Sequence, residues 1–267
     1  DIRFVDGLID LLMDTPESLQ KDCITLLGQI GDAEAIPFLI HMLNDRRHEP
    51  LQQNLIAALG DIGDTEAVEV LIDLLNNQHD KLLREDVILA LGCTGDPDAE
   101  AALITVAGSD NVFVRQKLAE ALGKFKSKKT VQTLITLLND ADRKVRGKAA
   151  QSLGDIGDPD AIPALDDALD DGEWWVRGRA VEALGQFNND AVVEPLCYAL
   201  GDSRYAVRNR AAETLGEIGS PLAYEPLLQA RGTRRNPIID KAIEKLDGKY
   251  IRDPEVDPTF LIALLPI

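Results

Sequence analysis

The dipeptide Leu-Gly recurs at Leu27-Gly28, Leu59-Gly60, Leu91-Gly92, Leu122-Gly123, Leu153-Gly154, Leu184-Gly185 and Leu215-Gly216, at spacings of 32, 32, 31, 31, 31 and 31 residues. A degenerate eighth copy stands at Leu246, where Asp247 replaces the glycine. A fixed period of this length means that one supersecondary unit is repeated, and that each unit buries its apolar face by stacking on its neighbours. This excludes folds with a single central core.

The remaining repeat positions say what the unit is. Seven residues before the leucine stands an arginine in five successive copies, Arg84, Arg115, Arg146, Arg177 and Arg208, and four of these follow a valine. After the Leu-Gly pair comes a turn such as Asp61-Ile62-Gly63-Asp64 or Asp155-Ile156-Gly157-Asp158. There the glycine ends one helix and the aspartate caps the next. Upstream lies an apolar stripe spaced i, i+3, i+4, i+7: Val5, Leu8, Ile9 and Leu12; Val68, Leu71, Ile72 and Leu75; Val131, Leu134, Ile135 and Leu138. That spacing is one face of a helix. Each unit is a helical hairpin, and the chain is expected to be all-α. With 45% hydrophobic but only 4% aromatic residues, its core must be built from aliphatic side chains that suit close helix packing.

The Val-Arg, Leu-Gly and Gly-Asp signature resembles the HEAT-like repeats of the phycobilisome (PBS) lyase type and covers nearly the whole chain. The resemblance implies an α-α superhelix, a right-handed solenoid of about eight two-helix repeats over residues 1–248. It leaves 249–267 as a non-repeat tail, whose apolar Phe260, Leu261, Ile262, Leu264 and Leu265 would cap the solenoid or dock a partner. Such repeats serve many functions. The expected one is a protein-binding scaffold or adaptor that holds a partner in its concave groove. The alternative is a bilin lyase, or a phycobilisome assembly or degradation factor, taking a tetrapyrrole or a phycobiliprotein.

The resemblance also implies that the second helices line the concave side. Five residues before the leucine they carry Lys117, Lys148, Arg179 and Arg210, a basic row in a chain of net charge −18. Two residues before it stand Glu120, Gln151, Glu182 and Glu213, so the row reads equally well as i, i+3 pairs on a solvated face. Scarce aromatics fall beside it: Phe113, Trp174, Trp175 and Tyr205 all lie nine or ten residues before a leucine. Exposed Trp, Tyr and Arg together are what binding hot spots favour. Trp175 also has a structural reading, as packing at the start of its helix. These eight residues are the candidate partner-binding set, implying a partner with an acidic or carboxylate-bearing surface. The resemblance assigns the Val-Arg arginines instead to an inter-repeat hydrogen-bonded ladder with Asp110, Asp142, Asp171 and Asp202, a structural duty that bidentate Arg-carboxylate geometry suits.

The acidic balance of 46 carboxylates against 28 cations opposes binding to nucleic acid or to an anionic membrane through the bulk field. No apolar run approaches the roughly 20 residues of a transmembrane helix. Three scattered cysteines, Cys23, Cys93 and Cys197, fit a reducing, cytoplasmic compartment. No phosphate loop, GxSxG turn, HExxH helix or CxxC pair occurs. The single His-Glu pair, His48-Glu49, falls short of the several that di-iron hydroxylases of similar architecture assemble. No catalytic residue, metal or cofactor is expected, a bilin entering only under the alternative.

Overall fold

The computed structural model describes residues 2–77, 81–232 and 236–250, and the apolar tail segment 260–265 lies outside them. Among the described residues every regular element is helical, in sixteen α-helices and six short 3-10 turns. The hairpins run in order: α1 (Ile2–Asp14) with α2 (Glu17–Ile30), α3 (Ile36–Asn44) with α4 (Gln52–Ile62), α5 (Thr65–Asn77) with α6 (Lys81–Thr94), and α7 (Pro97–Thr105) with α8 (Val112–Leu122). They continue with α9 (Lys128–Leu137), α10 (Arg143–Ile156), α11 (Ile162–Asp167), α12 (Trp174–Gln186), α13 (Val193–Ala199), α14 (Tyr205–Ile218), α15 (Tyr224–Arg231) and α16 (Pro237–Tyr250). This is the all-α solenoid of two-helix repeats that the period predicts.

The helices divide between two compact units, Asp1–Leu137 and Leu138–Ile267. In the first unit α2, α4, α6 and α8 pack side by side in chain order, and in the second so do α10, α12, α14 and α16. The even-numbered helices thus form a continuous layer within each unit, and α1, α3, α5 and α7 in the first unit and α11, α13 and α15 in the second pack against their own second helices.

The repeat leucines hold that layer together. Leu27, Leu59, Leu91, Leu122, Leu153, Leu184 and Leu215 are all fully buried, as is the degenerate Leu246 to within 1%. Each contributes about 1.5 to 3 kcal/mol by leaving water. The glycine beside the leucine has a different task. A Cβ built on Gly60 would lie 2.7 Å from Ala90 Cα, and one on Gly154 would lie 2.7 Å from Ala183 Cα. Ala90 and Ala183 are the residues preceding the next leucine, so a small residue on each helix meets a bare backbone on the one before. The signature carries two instructions: leucine fills the core, and glycine admits the neighbouring helix.

A second set of glycines ends these helices as expected. Gly63 and Gly157 adopt left-handed φ values of 64° and 71°, and their N–H groups return to the carbonyls of Leu59 and Leu153 at 3.0 Å. Aspartates then start the next helices. Asp96 Oδ1 accepts from the Asp98 N–H at 2.7 Å, and Asp158 Oδ1 from the Asp160 N–H at 2.9 Å.

Candidate partner-binding site

Two of the Val-Arg arginines form the expected inter-repeat rungs. Arg146 donates from Nε and Nη2 to the two carboxylate oxygens of Asp171, at 2.6 and 2.9 Å. One repeat on, Arg177 binds Asp202 in the same way, at 2.6 and 2.9 Å. The remaining Nη1 donors reach backbone carbonyls, Arg146 to Asp140 at 2.9 Å and Arg177 to Asp171 at 2.8 Å. Each of these aspartates also accepts a turn N–H, from Glu173 at 2.8 Å and from Arg204 at 2.7 Å. Burial raises the pKa of both carboxyls, but these hydrogen bonds outweigh it, and Asp171 and Asp202 are held below the usual aspartate value.

The pairing selects the acid six residues before the next arginine. Asp140, Asp171 and Asp202 occupy that position, whereas Asp142 instead caps α10, accepting from the Lys144 N–H at 2.8 Å. Before Arg115 the position holds Ser109, and the buried Nε of Arg84 has no hydrogen-bond partner. The ladder occupies the turn edge of the repeats and is committed to folding.

Of the candidate set, Phe113 and Lys117 lie on α8 in the first unit, and the other six on α10, α12 and α14 in the second. Phe113, Trp174 and Tyr205 are exposed, by 55%, 45% and 71%. Trp174 and Tyr205 open the adjacent helices α12 and α14, so one face of the second unit presents two solvated aromatic rings. Trp175 differs: its ring lies over α10, close enough that a Cβ on Gly147 would come within 2.3 Å of it, and it is half-buried. The packing reading holds for this one tryptophan.

The basic row is already engaged. Arg179 Nη1 donates to Glu182 Oε2 at 2.8 Å, Arg210 Nη2 lies 3.1 Å from Glu182 Oε1, and Lys117 Nζ lies 3.8 Å from Glu120. Glu182 therefore bridges two arginines on neighbouring helices. These pairs are partly solvated, so each contributes little to folding and exchanges readily.

Tyr198 went unnoticed in the sequence. It stands on α13, largely exposed, and its hydroxyl donates to Asp170 at 2.8 Å. Two shallow clefts of about 580 and 600 Å3 share Tyr198 and Asp170, the second being lined also by Asp166, Asp167 and Glu194. Burial, with Asp167, Asp170 and Glu194 nearby, raises the Asp166 pKa. Tyr198 stands on a first helix, away from the second-helix positions that carry Phe113, Trp174 and Tyr205. Only its failure to match an apolar stripe could have marked it.

Cys93 and Cys197 are not activated. Burial pushes Cys197 up to about 11 and also raises Cys93, so neither is a ready thiolate. Among the described residues no group of His, Cys, Asp and Glu could hold a metal ion, and no helix is long and apolar enough to cross a membrane.

The family model for HEAT repeats matches residues 5–92, 46–120, 100–177 and 167–247, and the chain belongs to that family. No curated protein matches the sequence. Among solved structures, the chain is similar to the complex of CpcE and CpcF of phycocyanin lyase from Nostoc sp. PCC7120, with 24% identity, a TM-score of 0.50, and coverage of 86% of this chain and 94% of that one. It is also similar to Escherichia coli YibA, with 22% identity, a TM-score of 0.59, and coverage of 91% and 92%. An engineered protein matches at 21% identity and a TM-score of 0.50, covering 91% of this chain and 77% of that one. At these identities the likeness is one of fold.

Proposed function

We propose that the chain is a protein-binding scaffold or adaptor that holds a partner protein on its even-numbered helices. The observation that carries this reading is the solvated pair Trp174 and Tyr205 at the starts of adjacent helices, in a chain with two tryptophans and four tyrosines. Rings left in water on a rigid helical layer add contact area at low entropic cost, which suits a hot spot. Phe113 and Lys117 extend the same repeat positions to the first unit. Trp175 packs over Gly147 of the preceding helix. Partner carboxylates enter by exchange, displacing Glu182 from Arg210 or Glu120 from Lys117, at little cost because these pairs are exposed. Lys148 completes the row.

The bilin reading draws on the same face but is less well supported. Its propionates exchange onto Arg179 and Arg210 as readily as a partner's carboxylates, but the cleft of about 600 Å3 beside Tyr198 is lined by Asp166, Asp167, Asp170 and Glu194 and by no cation.

The test is calorimetric titration of a polypeptide that co-purifies with the intact chain. Replacing Trp174 and Arg179 together by alanine is expected to weaken binding by at least about 2 kcal/mol, the hot-spot threshold, with helicity and melting temperature unchanged. Unaltered affinity moves the site elsewhere. A specific red shift of phycocyanobilin absorption on mixing favours the lyase alternative.

A further inference from the structure

Translating one repeat onto the next exposes a missing part in the second unit. Six residues before the repeat leucine, α10 has Gly147 and α12 has Gly178; nine before it, α12 has Trp175 and α14 has Ala206. The two glycines are equivalent, and so are Trp175 and Ala206. Over Gly147 lies the indole of Trp175, with ring carbons 2.3 and 2.5 Å from where a Cβ would stand, so only glycine accommodates it. At Gly178 nothing lies within 4 Å of the same point, because Ala206 supplies a methyl group where the previous repeat supplies an indole. The chain fills one of two equivalent seats and leaves the other open.

The surroundings of the open seat favour an aromatic occupant. Residues four apart share a helix face, so Trp174 stands one turn before Gly178 and Glu182 one turn after it. Trp174 is exposed and offers a ring edge or face, as aromatic pairs prefer. Glu182 offers a carboxylate, already flanked by Arg179 and Arg210, which can accept from a ring N–H. Tyr205, immediately before Ala206, is the most exposed aromatic of the described residues. The filled seat supplies the template: bare helix backbone at this position is a surface on which an indole packs.

We propose that Gly178 is the floor of an anchor seat that receives a tryptophan side chain from the partner, in the position that Trp175 takes over Gly147. This rests on the scaffold reading and names the chemistry that the partner must present there. Side chains at the equivalent position of other repeats, Gln53 on α4 and Gln116 on α8, close it, so among the even-numbered helices of the two units bare backbone at this site is confined to Gly147 and Gly178.

The probe is N-acetyl-tryptophanamide, titrated into the isotopically labelled full chain and followed through backbone amide shifts, with N-acetyl-leucinamide as control. Saturable shifts centred on Gly178, Arg179 and Ala206 are expected with the indole probe, at least about tenfold weaker with the leucine probe. Two variants close the seat in different ways. Ala206→Trp fills it from within, and Gly178→Gln gives it the side chain that α8 already carries; each should weaken the response about tenfold or more. Should Ala206→Trp fail to fold, Gly178→Gln decides alone. Shifts absent from Gly178, or equal in the folded variants, overturn the seat. The scaffold reading falls separately: if the indole probe binds at Gly178 but the Trp174→Ala, Arg179→Ala protein keeps its polypeptide at full affinity, the seat survives without that reading. If the polypeptide is lost but the probe finds no seat, the reverse holds.

Discussion

Arginine meets carboxylate in two places on the same helices, with the same short distances and different consequences. On the turn edge Arg146 and Arg177 bind Asp171 and Asp202 at 2.6 Å, with side chains 8 to 17% exposed. On the open face Arg179 and Arg210 meet Glu182 at 2.8 and 3.1 Å, with side chains 31 to 50% exposed. The edge pairs are bidentate, and their aspartates also bind turn N–H groups, so removing one member leaves several polar groups unsatisfied. The face pairs lose only what water replaces. Burial and hydrogen-bond count, rather than distance, separate the pair that holds repeats together from the pair free to greet a partner.

The comparison is tested most severely at Asp171. Its loss removes two charge-assisted hydrogen bonds from Arg146 and the turn bond from Glu173, and at about 1.5 to 3 kcal/mol for bonds to charged groups, partly recovered by water, Asp171→Ala should destabilise by about 3 kcal/mol at neutral pH. The acid limb gives a second check. The folded pKa of Asp171 is depressed, so its contribution is complete above the ordinary value of 3.8 and is lost as pH falls through the lower folded value. The gap between wild type and Asp171→Ala should therefore narrow below about pH 4, and denaturation at pH 7 and 3 measures it. A gap below about 1 kcal/mol at pH 7 would place the edge pairs in the same class as the face pairs.

Glycine sharpens the contrast next. Gly154 lies against Ala183 backbone while Gly178 has open space above it. Gly154→Ala must push two helices apart and should cost about 1 to 3 kcal/mol. Gly178→Ala adds a methyl group where nothing lies within 4 Å of it and should gain up to about 1 kcal/mol from helix propensity. Melting curves of the two variants should move in opposite directions. Destabilisation by both would mean that the seat at Gly178 is not open.

How legible each region was follows from the same physics. The buried leucine, the capping aspartates and the αL glycines were readable because each is required in every copy by a local rule that recurs at a fixed spacing. The ladder was readable in kind but not in register. Asp110 and Asp142 lie close to the arginines in sequence, yet the bond is made by the acid six positions ahead of the next arginine, a distance that only the stacking of hairpins defines. The role of glycine in Leu-Gly, admitting the next helix, was hidden for the same reason. The face was least legible: Trp174 and Trp175 are neighbours in sequence, yet one is solvated and the other covers Gly147. Their difference depends on which way each Cβ leaves α12 and on a bare glycine in the preceding repeat.

The smallest effect is the one that most directly tests the open face. Arg179 donates to Glu182 at 2.8 Å, a distance that in a buried setting would suggest a strong bond, yet both groups retain contact with water. Glu182 also keeps Arg210 at 3.1 Å when Arg179 is removed, so no carboxylate is stranded. Arg179→Ala should therefore change stability by less than about 0.5 kcal/mol, the usual range of an exposed i, i+3 pair, and that change should shrink further as salt screens it. Chemical denaturation at about 0.05 and about 0.5 M salt would detect a larger role on the order of 1 kcal/mol. A loss of that size, insensitive to salt, would mean that Arg179 is bound into the fold as Arg177 is. A cation held that firmly could not exchange its glutamate for a partner's carboxylate, and Arg179 would drop out of the cations that the face offers to a partner.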